Sequence, residues 1–146
     1  MKKFLLSLAL PSLCLPVVAE SAAPASPEPL ASGVFNVSAL PATPTPVGLR
    51  REAFDARTTT VDKTHCHITT LNAGASSGTP RKHLQEEIII IKEGTIEANW
   101  DGQSRVANAG DVIFFAANAV THLRNVGTVP ATYYVIYYFT PRTAKE

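Results

Sequence analysis

The sequence predicts an all-β protein, an antiparallel barrel or two-sheet sandwich. Three observations lead there. Short runs rich in β-branched and aromatic residues recur along the chain, separated by Gly-, Asn- and Asp-containing turns at spacings of roughly 8–12 residues. No helical period of any length appears after residue 50. Several of the runs are apolar on both faces, as strands buried between layers are.

Strand signals begin at Val47. Thr58 to Val61 and His65 to Leu71 are β-branched runs, and Asn72 to Gly78 is a loop of small residues. Glu87 to Lys92 is a strand built around four consecutive isoleucines, Ile88 to Ile91. Thr95 to Trp100 follows, then Asp101-Gly102, a strong hairpin signal, with Arg105 to Ala107 as the return strand. Asn108 to Asp111 is a second turn. Val112 to Ala116, Thr121 to Val126 and Thr132 to Phe139 complete the set. The last is dense in tyrosine and apolar on both faces, so one face fills the interior and the other needs a second sheet or another subunit to cover it.

The 146 residues allow one ordinary domain, and the first segment reads as separate from it. A basic start (Lys2, Lys3) precedes an apolar stretch from Phe4 to Val18, too short to span a bilayer comfortably, with small residues at Ala19. Residues 1–19 therefore read as a signal peptide, which makes the protein periplasmic or secreted. Residues 20–31 have Ala/Pro/Ser linker composition, residues 32–141 form the domain and residues 142–146 a tail. Losing Lys2 and Lys3 moves the formal charge from 13 − 12 = +1 to 11 − 12 = −1. Such a balance directs the chain neither to nucleic acid nor to an anionic membrane. The exported part keeps a single cysteine, Cys66, which has no internal partner for a disulfide and reads as a small buried hydrophobe.

The segment from Gly78 to Gly94 carries the functional signal. His83 and Glu87 stand at even spacing, so an extended chain puts both on one wall, and Glu87 shares its face with Ile89 and Ile91. An imidazole and a carboxylate on one wall are two parts of a common mixed metal site. Arg81, two residues before His83, shares that wall and cannot ligate a cation. His65 and His67 alternate and share a face, a two-ligand element for zinc or copper if that face lines the interior.

Residues 78–94 resemble the first motif of the cupin superfamily, with Arg81 in place of its first histidine, His83 at the second, Glu87 at the glutamate and Gly94 at the closing glycine. Gly110 to Asn125 resembles the second motif, with Asn118 where glycine is usual and Thr121 where the histidine would fall; the histidine here is His122, one residue late. The span from about Val34 to Pro141 also looks like exported bacterial single-domain cupins. The resemblance implies a small β-barrel (a jelly roll), often dimeric. It also implies a site for one divalent transition metal (iron, manganese, nickel, zinc or copper), here degenerate or absent. Oxygenases, isomerases, decarboxylases and binding proteins all share the fold, so it leaves the chemistry open.

Two readings follow. In the first, the barrel binds a small molecule in a pocket lined by Arg81, His83, Glu87, Thr121 and Asn125, with Arg81 pairing with Glu87 in place of a metal. In the second, an oxygenase- or isomerase-type enzyme uses His83, Glu87 and His122 as a two-histidine, one-carboxylate triad, with His67 as an alternative third ligand. On a regular strand His122 faces away from Asn125, and a bulge at Asn118 to Val120 would turn it inward. The expected partners are a small-molecule ligand and a second copy of the chain.

Overall fold

The computed structural model describes residues 28–143. A 3₁₀ turn at Val37–Ala39 leads into ten strands: β1 (Thr43–Thr45), β2 (Gly48–Ala56), β3 (Lys63–Leu71), β4 (Arg81–Lys82), β5 (Glu87–Glu93), β6 (Thr95–Trp100), β7 (Gln103–Asn108), β8 (Val112–Phe115), β9 (Val120–Asn125) and β10 (Ala131–Phe139). They form a six-stranded sheet of order β1-β2-β3-β10-β5-β8 and a four-stranded sheet of order β4-β9-β6-β7. All pairings are antiparallel, so the expected two-sheet β architecture holds.

Alternation sorts the residues. Along β5, Glu87, Ile89 and Ile91 are buried while Ile88 and Ile90 are only partly covered. Along β10 the inward set is Ala131, Tyr133 and Val135. Opposite them, β6 supplies Ile96 and Ala98, and β9 supplies Leu123. Leu71, Ile89, Ile91 and Ile96 are almost wholly buried. Each contributes on the order of 1.5–3 kcal/mol by leaving water.

The turns behave as their residues dictate. Asp101 and Gly102 have φ of 45° and 81°, the left-handed pair of a tight hairpin, and β6 and β7 pair in register around them. Gly94 has φ 83°, and a Cβ there would stand 2.6 Å from the Cβ of Ala131, so only glycine fits the step from β5 to β6.

One local expectation fails, and one strand goes unnamed. Thr58 to Val61 is not a strand: the Thr58 hydroxyl accepts hydrogen bonds from the backbone N–H groups of Thr60 and Val61, closing a turn that propensity alone misses. Nine-residue β2 is the strand that composition hides, because its consecutive Arg50, Arg51 and Glu52 and its Asp55 do not look like strand residues. It pairs along nearly the whole of β3, with one irregularity between Glu52 and Phe54 that leaves Ala53 unpaired. The signal-peptide reading and most of the linker lie outside the described residues.

Candidate functional site

A cavity of about 330 Å³ opens between the two sheets. β3 and β10 form its floor with His67, Leu71, Tyr133, Val135 and Tyr137, and β5 adds Glu87 and Ile89. Arg50, Arg81, His83 and Thr121 add to its polar lining. The volume is at the small end of the range of roughly 300–1,000 Å³ for ligand sites.

His83 and Glu87 do meet. Glu87 Oε1 lies 3.6 Å from His83 Nδ1, and the carboxylate is buried. Burial raises the Glu87 pKa, with Arg81's charge opposing it. Burial also lowers the His83 pKa, and Arg81 pushes the same way, so this imidazole is neutral at pH 7. Gln85 Nε2 stands 3.5 Å from His83 Nδ1, and the His83 carbonyl accepts from the Asn118 N–H at 2.7 Å. Asn118 takes φ 64°, which explains a position where glycine is usual: the turn needs a left-handed residue, and asparagine tolerates it.

Arg81 sits exposed on β4 and lines the cavity, but no ion pair joins it to Glu87; the expected pairing is replaced by His83. Thr121, Leu123 and Asn125 are the buried set of β9, whereas His122 is half-buried and out of phase with them, paired across to Asn99. The left-handed turn at Asn118 therefore does not bring His122 into line with His83 and Glu87, although His122 contributes to the cavity's lining. Asn125 is fully buried and does not line the cavity. Its amide donates to the carbonyls of Leu71, Asn72 and Val129 and accepts from the Gly127 N–H, so it pins loops instead. The motif positions thus do not fit a metal ion: Arg81 is a cation, Thr121 a neutral hydroxyl, and only His83 and Glu87 remain as ligands.

The metal-capable group lies on β2 and β3. Glu52, His65 and His67 bring one ligand atom each within 4.8 Å of one another. His65 Nε2 is 2.9 Å from His67 Nδ1 and 3.2 Å from Glu52 Oε2. Both histidines are buried. Burial holds the His67 pKa down at about 3, helped by Arg50 and His65, so its ring is neutral. On the other edge of His65, Nδ1 faces Asp55 Oδ2 at 3.6 Å. Asp55 is itself paired with Lys63 Nζ at 2.9 Å. Glu52 and Asp55 stand at odd spacing and would face opposite ways on a regular strand; the irregularity at Ala53 turns both toward His65. The His-x-His spacing signalled half of this group. Glu52, Asp55 and Arg50 carried no signal, because their convergence depends on that bulge and on pairing with β3.

Residues 67–137 match the family model described as the cupin domain. The domain is a cupin. Among solved structures this cupin is similar to an RmlC-like cupin from Shewanella frigidimarina (TM-score 0.61, 16% identity, 76% of this chain and 95% of that one). It is also similar to KdgF from Halomonas sp. (TM-score 0.61, 17% identity, 73% and 94%). A third similar fold is the polyketide cyclase RemF from Streptomyces resistomycificus (TM-score 0.61, 13% identity, 74% and 80%). At these identities the likeness shows the fold alone. No curated protein matches the chain in sequence. Glu52, Asp55 and His65 lie before the matched segment, which starts at His67.

Proposed function

We propose that this cupin binds a small anionic molecule in its barrel. One observation carries the reading: Arg81 lines the cavity with no carboxylate paired to it among the described residues, at the motif position where a metal ligand is expected. A guanidinium there offers a forked donor for a carboxylate or phosphate. Arg50 adds a second cation to the lining, which holds Glu87 as its one carboxylate. Neutral His83 and the Thr121 hydroxyl supply further hydrogen-bonding groups, and Val135, Tyr133 and Ile89 an apolar floor. We also take the molecule to work outside the cytoplasm, on the leader-like composition of residues 1–19; the intact mass of the exported protein tests this.

The binding test is a thermal-shift and calorimetric comparison of oxalate, malonate, inorganic phosphate and glycerol. The anions raise the melting temperature and glycerol does not. Arg81→Gln weakens anion binding by about tenfold or more, the loss of a charge-assisted hydrogen-bond pair of roughly 1.5–3 kcal/mol. Equal binding of glycerol, or anion binding indifferent to Arg81→Gln, would remove the reading. The alternative, a metalloenzyme centred on His83, Glu87 and His122, is less favoured because His122 is out of phase with the other two.

A further inference from the structure

We propose that Glu52, His65 and His67 form a divalent transition-metal site on the β2–β3 wall, separate from the cupin motif positions, and that the guanidinium of Arg50 competes with the ion for it. Three relationships carry the proposal.

The first is spacing. Nitrogen ligands about 2.0–2.1 Å from one ion stand roughly 2.9 Å apart at adjacent corners of an octahedron or square, and roughly 3.4 Å apart in a tetrahedron. His65 Nε2 and His67 Nδ1 are 2.9 Å apart, and Glu52 Oε2 is 3.2 Å from His65 Nε2. His65 Nε2 therefore stands at neighbouring-ligand spacing from both other donors, and one ligand atom from each of the three residues lies within 4.8 Å of the others. Two imidazoles and a carboxylate suit nickel, iron, copper or zinc better than magnesium or calcium.

The second is orientation. His65 Nδ1 is buried and has no hydrogen-bond partner, yet it faces the Asp55 carboxylate at 3.6 Å. A carboxylate on that edge favours the proton on Nδ1 and leaves the Nε2 lone pair directed at His67 and Glu52. This carboxylate–histidine arrangement orients metal-bound imidazoles generally. Tyr137 stacks on the His65 ring at 4.5 Å and 9°, which fixes its plane.

The third is the charge already present. Arg50 Nη2 is 3.3 Å from His65 Nε2, and Arg50 Nε pairs with Glu52 Oε1. A guanidinium thus stands against the convergence point of the three donors. A metal ion entering there repels it and takes its carboxylate. Arg50 also lines the cavity, so its displaced guanidinium stays close to an anion held inside. Half-exposed Glu52 leaves a route in from solvent.

The test is calorimetric titration of the untagged full chain with nickel(II) chloride. One ion binds per chain. His65→Ala and His67→Ala each remove binding, Asp55→Ala weakens it by roughly 10–100-fold, and Arg50→Gln tightens it several-fold. The Arg50→Gln gain guards against misfolding, which cannot raise affinity. No binding in the wild type, binding that survives His65→Ala but is lost in His83→Ala, or unchanged affinity in Arg50→Gln would overturn the proposal. Nickel also strengthens phosphate binding through freed Arg50. That coupling rests on the anion-binding reading, whereas nickel binding does not. Intact nickel binding with no anion binding at all would sink only the earlier reading.

Discussion

The ring of Tyr137 lies flat on the ring of His65, with centroids 4.5 Å apart and planes within 9°. In register, Tyr137 is paired with His65 on one side and with Glu87 on the other. One residue of β10 therefore separates the two polar centres of the barrel, the His83–Glu87 pair and the Glu52–His65–His67 group. Its ring supports the buried face of His65.

Replacing Tyr137 tests that role. Tyr137→Phe keeps the stack and changes stability by less than about 1 kcal/mol, because the ring supplies the contact. Tyr137→Ala removes it and costs about 3 kcal/mol. Urea unfolding followed by far-ultraviolet circular dichroism measures both; equal losses would show that the hydroxyl, not the ring, matters.

Glu87 gives the pH dependence. Its pKa is raised in the folded state, chiefly by burial. A raised carboxyl pKa means that the folded protein binds the proton more tightly than the unfolded chain. This contribution is fully present below the unfolded value of 4.5 and is lost as pH rises through the folded value. Glu87→Gln, which keeps a neutral polar group, therefore raises the melting temperature at pH 7–8, and the advantage shrinks as pH falls through the folded value and is gone below 4.5. A variant less stable than wild type at pH 8 would mean that the ionised carboxylate is stabilised by a partner.

Asn125 is costly to remove. Its fully buried side chain serves three carbonyls and one N–H. Asn125→Ala leaves these four groups unsatisfied and costs at least about 4 kcal/mol at roughly 1–3 kcal/mol per orphaned group. Chemical denaturation measures it, and Asn125→Asp fails to rescue because a carboxylate cannot donate to carbonyls.

Gly94→Ala tests the turn between β5 and β6. The added methyl meets Ala131 at 2.6 Å in a left-handed backbone. Strain of about 1–3 kcal/mol plus displacement of β10 lowers the melting temperature by roughly 10 °C or more. Ala131→Gly in the same chain does not restore the loss, because the backbone Cα of residue 131 also stands 2.7 Å from the added methyl.

Strand identity was legible wherever local chemistry and tertiary position agree. Thr95 to Trp100 begins and ends as its β-branched run and Asp-Gly turn indicate. The isoleucine strand carries Glu87 inward because period-two alternation is a property of the extended backbone itself. Thr58 to Val61 misled because a threonine hydroxyl can serve a turn as well as a strand. β2 was hidden because Arg50, Arg51, Glu52 and Asp55 lower its β-propensity, while Glu52 and Asp55 meet His65 only once β2 pairs with β3.

By itself the sequence determined the β architecture, the cupin resemblance, the His83–Glu87 wall and the shared face of His65 and His67. These follow from residue type and alternation, which need no knowledge of neighbours. Only the tertiary structure decided that Arg81 stays unpaired, that His122 is out of phase, that Asn125 holds loops, and that Glu52 and Asp55 converge on His65. Each of those depends on register between strands distant in the chain, and one unpaired residue, Ala53, inverts which side chains meet.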